Sequence, residues 1–376
     1  MRIAIEAQRI FRREKHGMDF VILEVLRCLQ KLDTENEYFV LVGGGDDVCL
    51  EATPNMHIEV LDCPTYPLWE QFALPKAIKR IKPDLLHCTS NTAPIKVDCP
   101  LVITLHDVIF LEKQSAKNKS LYQKLGRIYR RLVVPKVLQR CSRIITVSEY
   151  EKDTIIKTTG IEAGKISVVH NGVSKGFVKM DKDSAKAISD KYAWGHKDYI
   201  FFLGNTDPKK NTATTLKAYS IYAKKAGEKA LPLLIADLKA DYVYEYCEQE
   251  EITEIKDKLI IAGYIPNTDL PSVYNSSAAF LYTSLRESFG IPLLEGMACG
   301  TPVITSNTSA IPEVAGSGAI MVDPTSAEAI ADALYKACND EEFREEKIEY
   351  GLNHVKDFSW EKTALGTLSV YKEVLS

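Results

Sequence analysis

The chain reads as an α/β protein built from two doubly wound, Rossmann-like domains, and three observations lead there. Its 376 residues exceed what one hydrophobic core ordinarily supports. Short apolar runs alternate with longer amphipathic stretches throughout, the pattern of βαβ units around a parallel sheet. The alternation also comes as two series, separated by a polar, Lys- and Asp-rich segment from Lys179 to Lys197.

In the first series the strands are RIAIEA, YFVLVG, IEVLD, DLLHC, LVITLHD and RIITVS, with an amphipathic helix over 19–32. The second contains YIFFLGN, LPLLIAD, KLIIAGYI, AAFLYTS, PVITSN and AIMVDP, each followed by helix-like sequence. This places one domain over 1–175 and another over 196–357, with a hinge at about 174–196. A last amphipathic segment, FSWEKTALGTLSVYKEVL, closes the chain. Open parallel sheets bind ligands at the carboxyl ends of their strands, so two such domains facing one another enclose a cleft.

Charge is unevenly spread. Through Lys175 there are 26 Lys and Arg against 21 Asp and Glu; the remainder has 21 against 30. The first half is therefore the better match for an acidic partner. From Lys113 to Arg143 ten basic residues and no acid interleave with Leu121, Leu125, Ile128, Leu132 and Val133. That stretch fits either an anionic lipid surface, as a possible peripheral membrane contact over 113–143, or a solvated helix face. Nucleic acid is a poorer match, because the acidic second half interrupts any basic track.

The nine cysteines are scattered, without a C-x-x-C pair, which argues against structural zinc and for a reducing compartment. The opening MRIAIEAQRI is a short strand carrying charges, unlike a signal peptide. No apolar run approaches the roughly 20 residues that span a bilayer. A cytoplasmic protein is expected, soluble or lying on the inner face of the cell membrane.

The stretch with the most chemistry is ESFGIPLLEGMACGTPVI, from Glu287 to Ile304. Pro292 suits the first turn of a helix and Gly300 its end. The helix start lies beside the turn Ser288-Phe289-Gly290, and helix-start amides form a seat for anions. Two carboxylates, Glu287 and Glu295, flank that seat. They would repel a bare phosphate but can accept hydrogen bonds from hydroxyls, so the set suits a ligand with both phosphate and sugar. Two surface glutamates on an ordinary loop and helix are the plain alternative.

Elsewhere, Gly204 ends an apolar strand in FFLGNTDPKKN, and Lys209 and Lys210 lead into a helix where a Lys pair can neutralise a diphosphate. LVITLHDVIFL places His106-Asp107 at a strand's carboxyl end. Gly17 precedes a helix in RREKHGMDF, where a glycine permits close approach of backbone to ligand. Ser148 is a good helix N-cap, and Asn171-Gly172 suits a tight turn. The first strand lacks G-x-G-x-x-G before its helix, which argues against a nicotinamide enzyme.

The string from Glu287 to Ile304 resembles the E-x7-E signature of retaining glycosyltransferases of family GT4, and the likeness covers nearly the whole chain. It implies a GT-B fold, with residues 358–376 packing back on the first domain. It implies Lys210 on the donor phosphates, with Lys209 in the place usually held by Arg. It implies Glu287 on donor-sugar hydroxyls, Glu295 on the ribose, and the amides around Phe289 and Gly290 on the diphosphate. It further implies Tyr264 and Ile265 near the nucleobase, His106 hydrogen-bonded to a sugar hydroxyl, and Gly17 near the diphosphate. Many members carry Arg directly after the strand glycine; here it is Asn205, which removes one phosphate contact.

The expected activity is transfer of a hexose, mannose from GDP-mannose being the leading candidate, from a nucleoside diphosphate sugar to a hydroxyl acceptor. The acceptor would be a saccharide or lipid-linked saccharide in surface-polysaccharide or glycolipid assembly, and no metal or other cofactor is expected. The HDVIFL and GN-x-x-P-x-K-N strings are similar to those of bacterial surface-polysaccharide mannosyltransferases. A nucleotide-sugar epimerase of the same fold, or a non-catalytic scaffold, would share these features. Solvent deuterium incorporation marks the first; donor binding without turnover, unchanged by Glu287→Ala, marks the second.

Overall fold

The computed structural model describes residues 1–112, 121–196 and 198–376. It divides into two compact units, Met1–Gly172 with Trp360–Ser376, and Val173–Ser359.

In the first unit, β1 (Arg2–Glu6), β2 (Glu37–Val42), β3 (Met56–Val60), β4 (Leu85–Cys88), β5 (Leu101–Thr104), β6 (Arg143–Thr146) and β7 (Ile166–Val168) form a parallel sheet ordered β3-β2-β1-β4-β5-β6-β7. Ile3 faces Leu85 and Ile5 faces His87 across β1 and β4. Such strands are apolar along their length because both sheet faces are covered; Ile3, Ala4, Ile5, Leu85 and Leu86 have no exposed surface. The helix Gly17–Leu32 covers part of the sheet with a stripe of Ile22, Leu23, Val25, Leu26 and Leu29. The backbone of His16 donates to Asp19 Oδ2 at 2.9 Å, which closes the helix start.

The last helix, Trp360–Leu375, belongs to this unit and packs on Gly17–Leu32. Tyr371 and His87 Nδ1 are hydrogen-bonded at 2.6 Å, and Thr363 Oγ1 donates to His170 O at 2.8 Å.

In the second unit, β8 (Tyr199–Leu203), β9 (Leu233–Ala236), β10 (Leu259–Gly263), β11 (Ser277–Tyr282), β12 (Val303–Ser306) and β13 (Ile320–Val322) form a parallel sheet ordered β10-β9-β8-β11-β12-β13. Its core contains an aromatic run: Phe201 on Phe280 at 5.4 Å, Tyr274 edge-on to Phe280 at 4.9 Å, and Phe280 on Tyr282 at 5.8 Å. Each such pair adds roughly 0.5–1.5 kcal/mol beyond its burial, and the run ends under the loop that carries Glu287.

The polar segment expected to be a hinge over 174–196 is partly helical. Lys182–Ala193 is a helix of the second unit, packed on Leu270–Ser276. Asp181 caps it by accepting from Ser184 N at 2.9 Å. Its buried stripe is Ala185, Ser189 and Ala193, too small and polar to register as an apolar period.

Both sheets reverse strand order at their first strand. Chains leave the β1/β4 and β8/β11 pairs in opposite directions, so a crevice opens at the carboxyl ends there. The residues after Glu6 and Cys88 border it in one unit, and those after Leu203 and Tyr282 in the other.

Candidate active site at the carboxyl edges of the sheets

At the second sheet's reversal, β8 is followed by Gly204, whose amide donates to Ala236 O at 3.0 Å. A Cβ there would stand 2.3 Å from Leu238 Cδ1, so only glycine lets the chain turn so close to its neighbour. The loop is self-braced: Asn205 Oδ1 accepts from Asp207 N at 2.8 Å, and Asp207 Oδ1 from Lys209 N at 3.1 Å. Asn211, in the left-handed region at φ 60, donates through Nδ2 to Thr283 O at 3.0 Å and Pro324 O at 2.7 Å. Leu285 N donates to Lys209 O at 2.7 Å. The loops after β8 and β11 are thereby tied together.

This brings Lys210 Nζ to 2.6 Å from Glu287 Oε1, with the side chains 25% and 11% exposed. Lys210 also lies 5.6 Å from the Tyr282 ring centroid. Glu287 is fixed through its backbone, its amide donating to Ser309 Oγ at 3.0 Å. Gly290, at φ 109, caps the helix Ile291–Ala298 and sits on the Tyr282 ring. Pro292 has no amide hydrogen and Leu293 N turns back to Gly290 O at 3.1 Å. Phe289 is buried against Phe358, and Ser288 is half-buried.

Glu295 lies one turn into the same helix. Tyr274 donates to its Oε2 at 3.3 Å. Part of the residue's surface is open, but protein encloses the carboxylate, and burial pushes its pKa up to about 7 against the opposing Tyr274 bond. Tyr264 is 77% exposed after β10, whereas Ile265 is buried. A cavity of about 940 Å³ opens at the other end of this sheet, lined by Lys179, Asp198, Ser277 and Arg344 among others; Lys210, Glu287, Glu295 and Tyr264 do not line it.

The first unit's edge is chemically different. Glu6, at the end of β1, has no exposed surface and accepts from Gln8 N at 3.0 Å and Thr89 N at 3.1 Å. Glu70, on a π-helical turn Trp69–Ala73, is equally buried. It accepts from Tyr66 at 2.8 Å, Thr92 at 2.8 Å, Gln71 at 2.8 Å and Tyr129 at 2.5 Å. Burial raises the pKa of both carboxyls. His106 lies just past β5, its amide donating to Asn91 Oδ1 at 2.6 Å. Its Nε2 is 3.2 Å from Thr89 O, which can only accept, so Nε2 carries the hydrogen in the neutral ring. Burial lowers the His106 pKa and favours that form. The ring borders a cavity of about 30 Å³ shared with His87, Thr89 and Asn171. Asp107 Oδ1 accepts from Ile109 N at 3.0 Å and so shapes the loop. Gly17 starts its helix with open space around the Cβ position.

The sequence profile for glycosyltransferase family 4 matches residues 16–176, and that for group 1 glycosyl transferases matches 183–354. The chain belongs to this glycosyltransferase family. It is 28% identical to the O-antigen chain mannosyltransferase B of Escherichia coli over 62% of this chain and 61% of that one. It is also 28% identical to the E. coli serotype-specific mannosyltransferase WbdA over 78% of this chain. The chain spans only about 61% and 37% of the length of these two relatives.

Among solved structures, a Rickettsia africae glycosyltransferase superposes with TM-score 0.75 at 18% identity, covering 100% of this chain and 98% of that one. Anabaena Alr3699/HepE in complex with UDP-glucose superposes with TM-score 0.72 at 17% identity, covering 98% and 100%. The fold of this family member is GT-B, two doubly wound parallel-sheet units.

Of the residues expected from the sequence, Gly204, Asn205, Lys209, Lys210, Glu287, Ser288, Phe289, Gly290 and Glu295 gather on the β8/β11 loops and the helix after them. Tyr264 and Ile265 follow β10, two strands away. His106 and Gly17 belong to the first unit. Tyr282, Ser309, Asn211 and Tyr274 act as supports with no role assigned from the sequence; Tyr282, ending an apolar run, and Asn211, closing the GN-x-x-P-x-K-N string, carry a sequence cue. Asn205 is a loop brace rather than simply a lost phosphate contact. An Asp-x-Asp string, the spacing of many divalent-ion sites, does occur at Asp181-Lys182-Asp183, but Asp181 is engaged as the helix cap. No group of three metal-ligating side chains is assembled among the described residues.

Proposed function

We propose that the protein transfers a hexose from a nucleoside diphosphate sugar to a hydroxyl acceptor with retention of configuration, and that GDP-mannose is the donor. The observation that carries this reading is the Lys210–Glu287 pair at 2.6 Å beside the Gly290 helix start. A lone ion pair of this kind brings together the two groups that a phosphorylated sugar needs: a cation for the leaving diphosphate and a carboxylate for ring hydroxyls. The mannosyltransferase names of the relatives support the choice of sugar.

In this mechanism Lys210, with Lys209 and the Gly290 amide, stabilises the charge that develops on the diphosphate as the glycosidic bond breaks. Glu287 turns from Lys210 to the sugar hydroxyls, and Glu295 accepts from the ribose. His106 accepts a sugar hydroxyl hydrogen at Nδ1. The acceptor attacks on the face the diphosphate leaves, and the donor phosphate takes the acceptor proton, so no protein general base is required. No divalent ion takes part.

The test is nucleoside diphosphate release from a panel including GDP-mannose, UDP-glucose and GDP-fucose, with and without EDTA, and NMR assignment of the product anomer. GDP-mannose turnover that resists EDTA, is lost in Lys210→Met and gives an α-linked product is expected. Turnover of UDP-glucose alone would overturn the donor, and an inverted anomer the mechanism.

A further inference from the structure

Part of the basic stretch expected to meet membrane, 113–120, lies outside the described residues. No helix among the described residues is long and apolar enough to cross a membrane. Elsewhere in the first unit, at the β1/β4 reversal, hydrogen bonds run without a break from Glu6 to His106.

Glu6 is paired with Cys88 in the β1–β4 register, so the chain leaves both strands from the same point of the sheet edge. The Glu6 carboxyl spans the two departures: Oε1 accepts from Gln8 N at 3.0 Å and Oε2 from Thr89 N at 3.1 Å. Thr89 Oγ1 donates to Glu6 O at 2.8 Å. One residue therefore holds Thr89 by its amide and by its side chain. Two positions on, Asn91 N donates to Thr104 O at 3.2 Å and pins the far end of the segment.

This short segment is a cradle for His106. Asn91 Oδ1 accepts from the His106 amide at 2.6 Å, and Thr89 O lies 3.2 Å from Nε2. A carbonyl can only accept, so its position decides which ring nitrogen carries the hydrogen and leaves Nδ1 as an acceptor. Among the described residues no hydrogen bond occupies Nδ1. Burying a carboxyl merely to join two strands that are already paired is unfavourable. What the carboxyl adds is two acceptor oxygens on one side chain, one for each loop.

We propose that Glu6 is a positioning residue for the transfer reaction: through Thr89 it fixes the His106 ring as the Nε2–H tautomer, with Nδ1 ready to accept a hydroxyl of the donor sugar. The effect on transfer rests on the sugar-transfer reading; control of the tautomer does not.

The test reads the ring directly, by NMR correlation of the imidazole nitrogens with their ring protons in nitrogen-15-labelled protein. His106→Gln identifies the His106 signals among the seven histidines. The parent should show a protonated Nε2 and a bare Nδ1; Glu6→Gln, with one acceptor oxygen instead of two, should show a mixture of tautomers. Donor kcat/KM in Glu6→Gln should fall roughly tenfold, the worth of one hydrogen bond. In a His106→Ala background the same change should alter kcat/KM by less than about twofold, which a general loosening of the fold would not do. Thr89→Ala removes only the hydroxyl tie and should move tautomer and rate the same way by less, so it carries the test if Glu6→Gln does not fold. An unchanged tautomer in the folded variants, or a loss equally large without His106, would overturn the proposal. A tautomer that responds to Glu6→Gln in a protein that turns over no nucleotide sugar would instead sink the reading of the reaction and leave the positioning of the ring standing.

Discussion

The two sheets reverse at the same topological place but hold different chemistry there. At β8/β11 an ammonium and a carboxylate stand paired and partly open to solvent. At β1/β4 two fully buried carboxyls are ringed by amides, hydroxyls and a glutamine amide. Topology sets where a ligand can bind, and solvation of the groups placed there sets what kind. The second unit's edge is equipped to exchange one charge partner for another, as a diphosphate demands. The first unit's edge satisfies its carboxyls mainly through neutral hydrogen-bond donors, with the Arg9 charge acting on Glu6 as a lesser contribution, as suits recognition of neutral hydroxyls.

The largest expected effect tests the charged edge. Lys210→Met should lower kcat for donor turnover by about 10²–10³, the usual loss for one stabilising donor at a developing charge. It also leaves the Glu287 carboxylate half-enclosed without its cation, which lowers stability. Adding Glu287→Gln should restore the melting temperature but not the rate. A Lys210→Met protein with nearly parental kcat would remove the catalytic meaning of the contrast.

Next is the neutral edge. Glu70→Ala strips one acceptor from Tyr66, Thr92, Gln71 and Tyr129 together and should cost about 3–5 kcal/mol in urea unfolding. Glu70→Gln, a neutral isostere, should cost much less, because burial already favours the uncharged carboxyl. Equal losses in the two variants would mean that Glu70 acts as a charge, and that both edges rely on ionised carboxylates.

How much of this was readable in advance follows from the same contrast. The strands were legible because fully buried strands are continuous apolar runs, as in Leu233–Ala236. Lys210, Glu287 and Glu295 stood out because they fall within strings shared by a family. The supporting bonds were not legible: Asn211, although it closes a family-like string, bonds to residues 72 and 113 positions away, and Ser309 reaches Glu287 across 22. The Glu70 hub was hidden for that reason too, with Thr92 and Tyr129 arriving from 22 and 59 positions away around a π-helical turn. The Lys182–Ala193 helix within the expected hinge was not legible because it buries alanine and serine, which leave no hydrophobic period.

Acidity separates the units further. Burial raises Glu295 from 4.5 to about 7, so the folded second unit keeps a proton that the unfolded chain has released. Stability is unaffected below about pH 4.5 and falls by about 3 kcal/mol as pH rises to 7. Glu295→Gln should abolish this slope in urea unfolding between pH 5 and 8. If Glu295 grips the ribose as a carboxylate, donor KM should fall as pH rises through 7 in the parent and stay flat in the variant. A slope that persists in Glu295→Gln would assign it elsewhere.

The first unit should show the opposite trend, smaller only over the accessible window between pH 6.5 and 5. His87 is 2% exposed, bonded to Tyr371 at 2.6 Å and Thr104 at 2.7 Å. Burial holds its pKa down from 6.5 to about 3, with His106 adding to the effect. Above pH 6.5 neither state is charged and the neutral ring's bonds stabilise the fold in full. As pH falls toward 3 the unfolded chain takes up a proton that the folded one refuses. Between pH 6.5 and 5 that removes about 2 kcal/mol. Hydrogen exchange followed by mass spectrometry should show the first unit losing protection on acidification, with the last helix loosening alongside β4 because Tyr371 is His87's partner. His87→Gln, which keeps a hydrogen-bonding side chain but cannot titrate here, should be less stable at pH 7.5 and lose little more by pH 5. Protection lost equally from both units on acidification would show that the burial of this imidazole does not set the acid response.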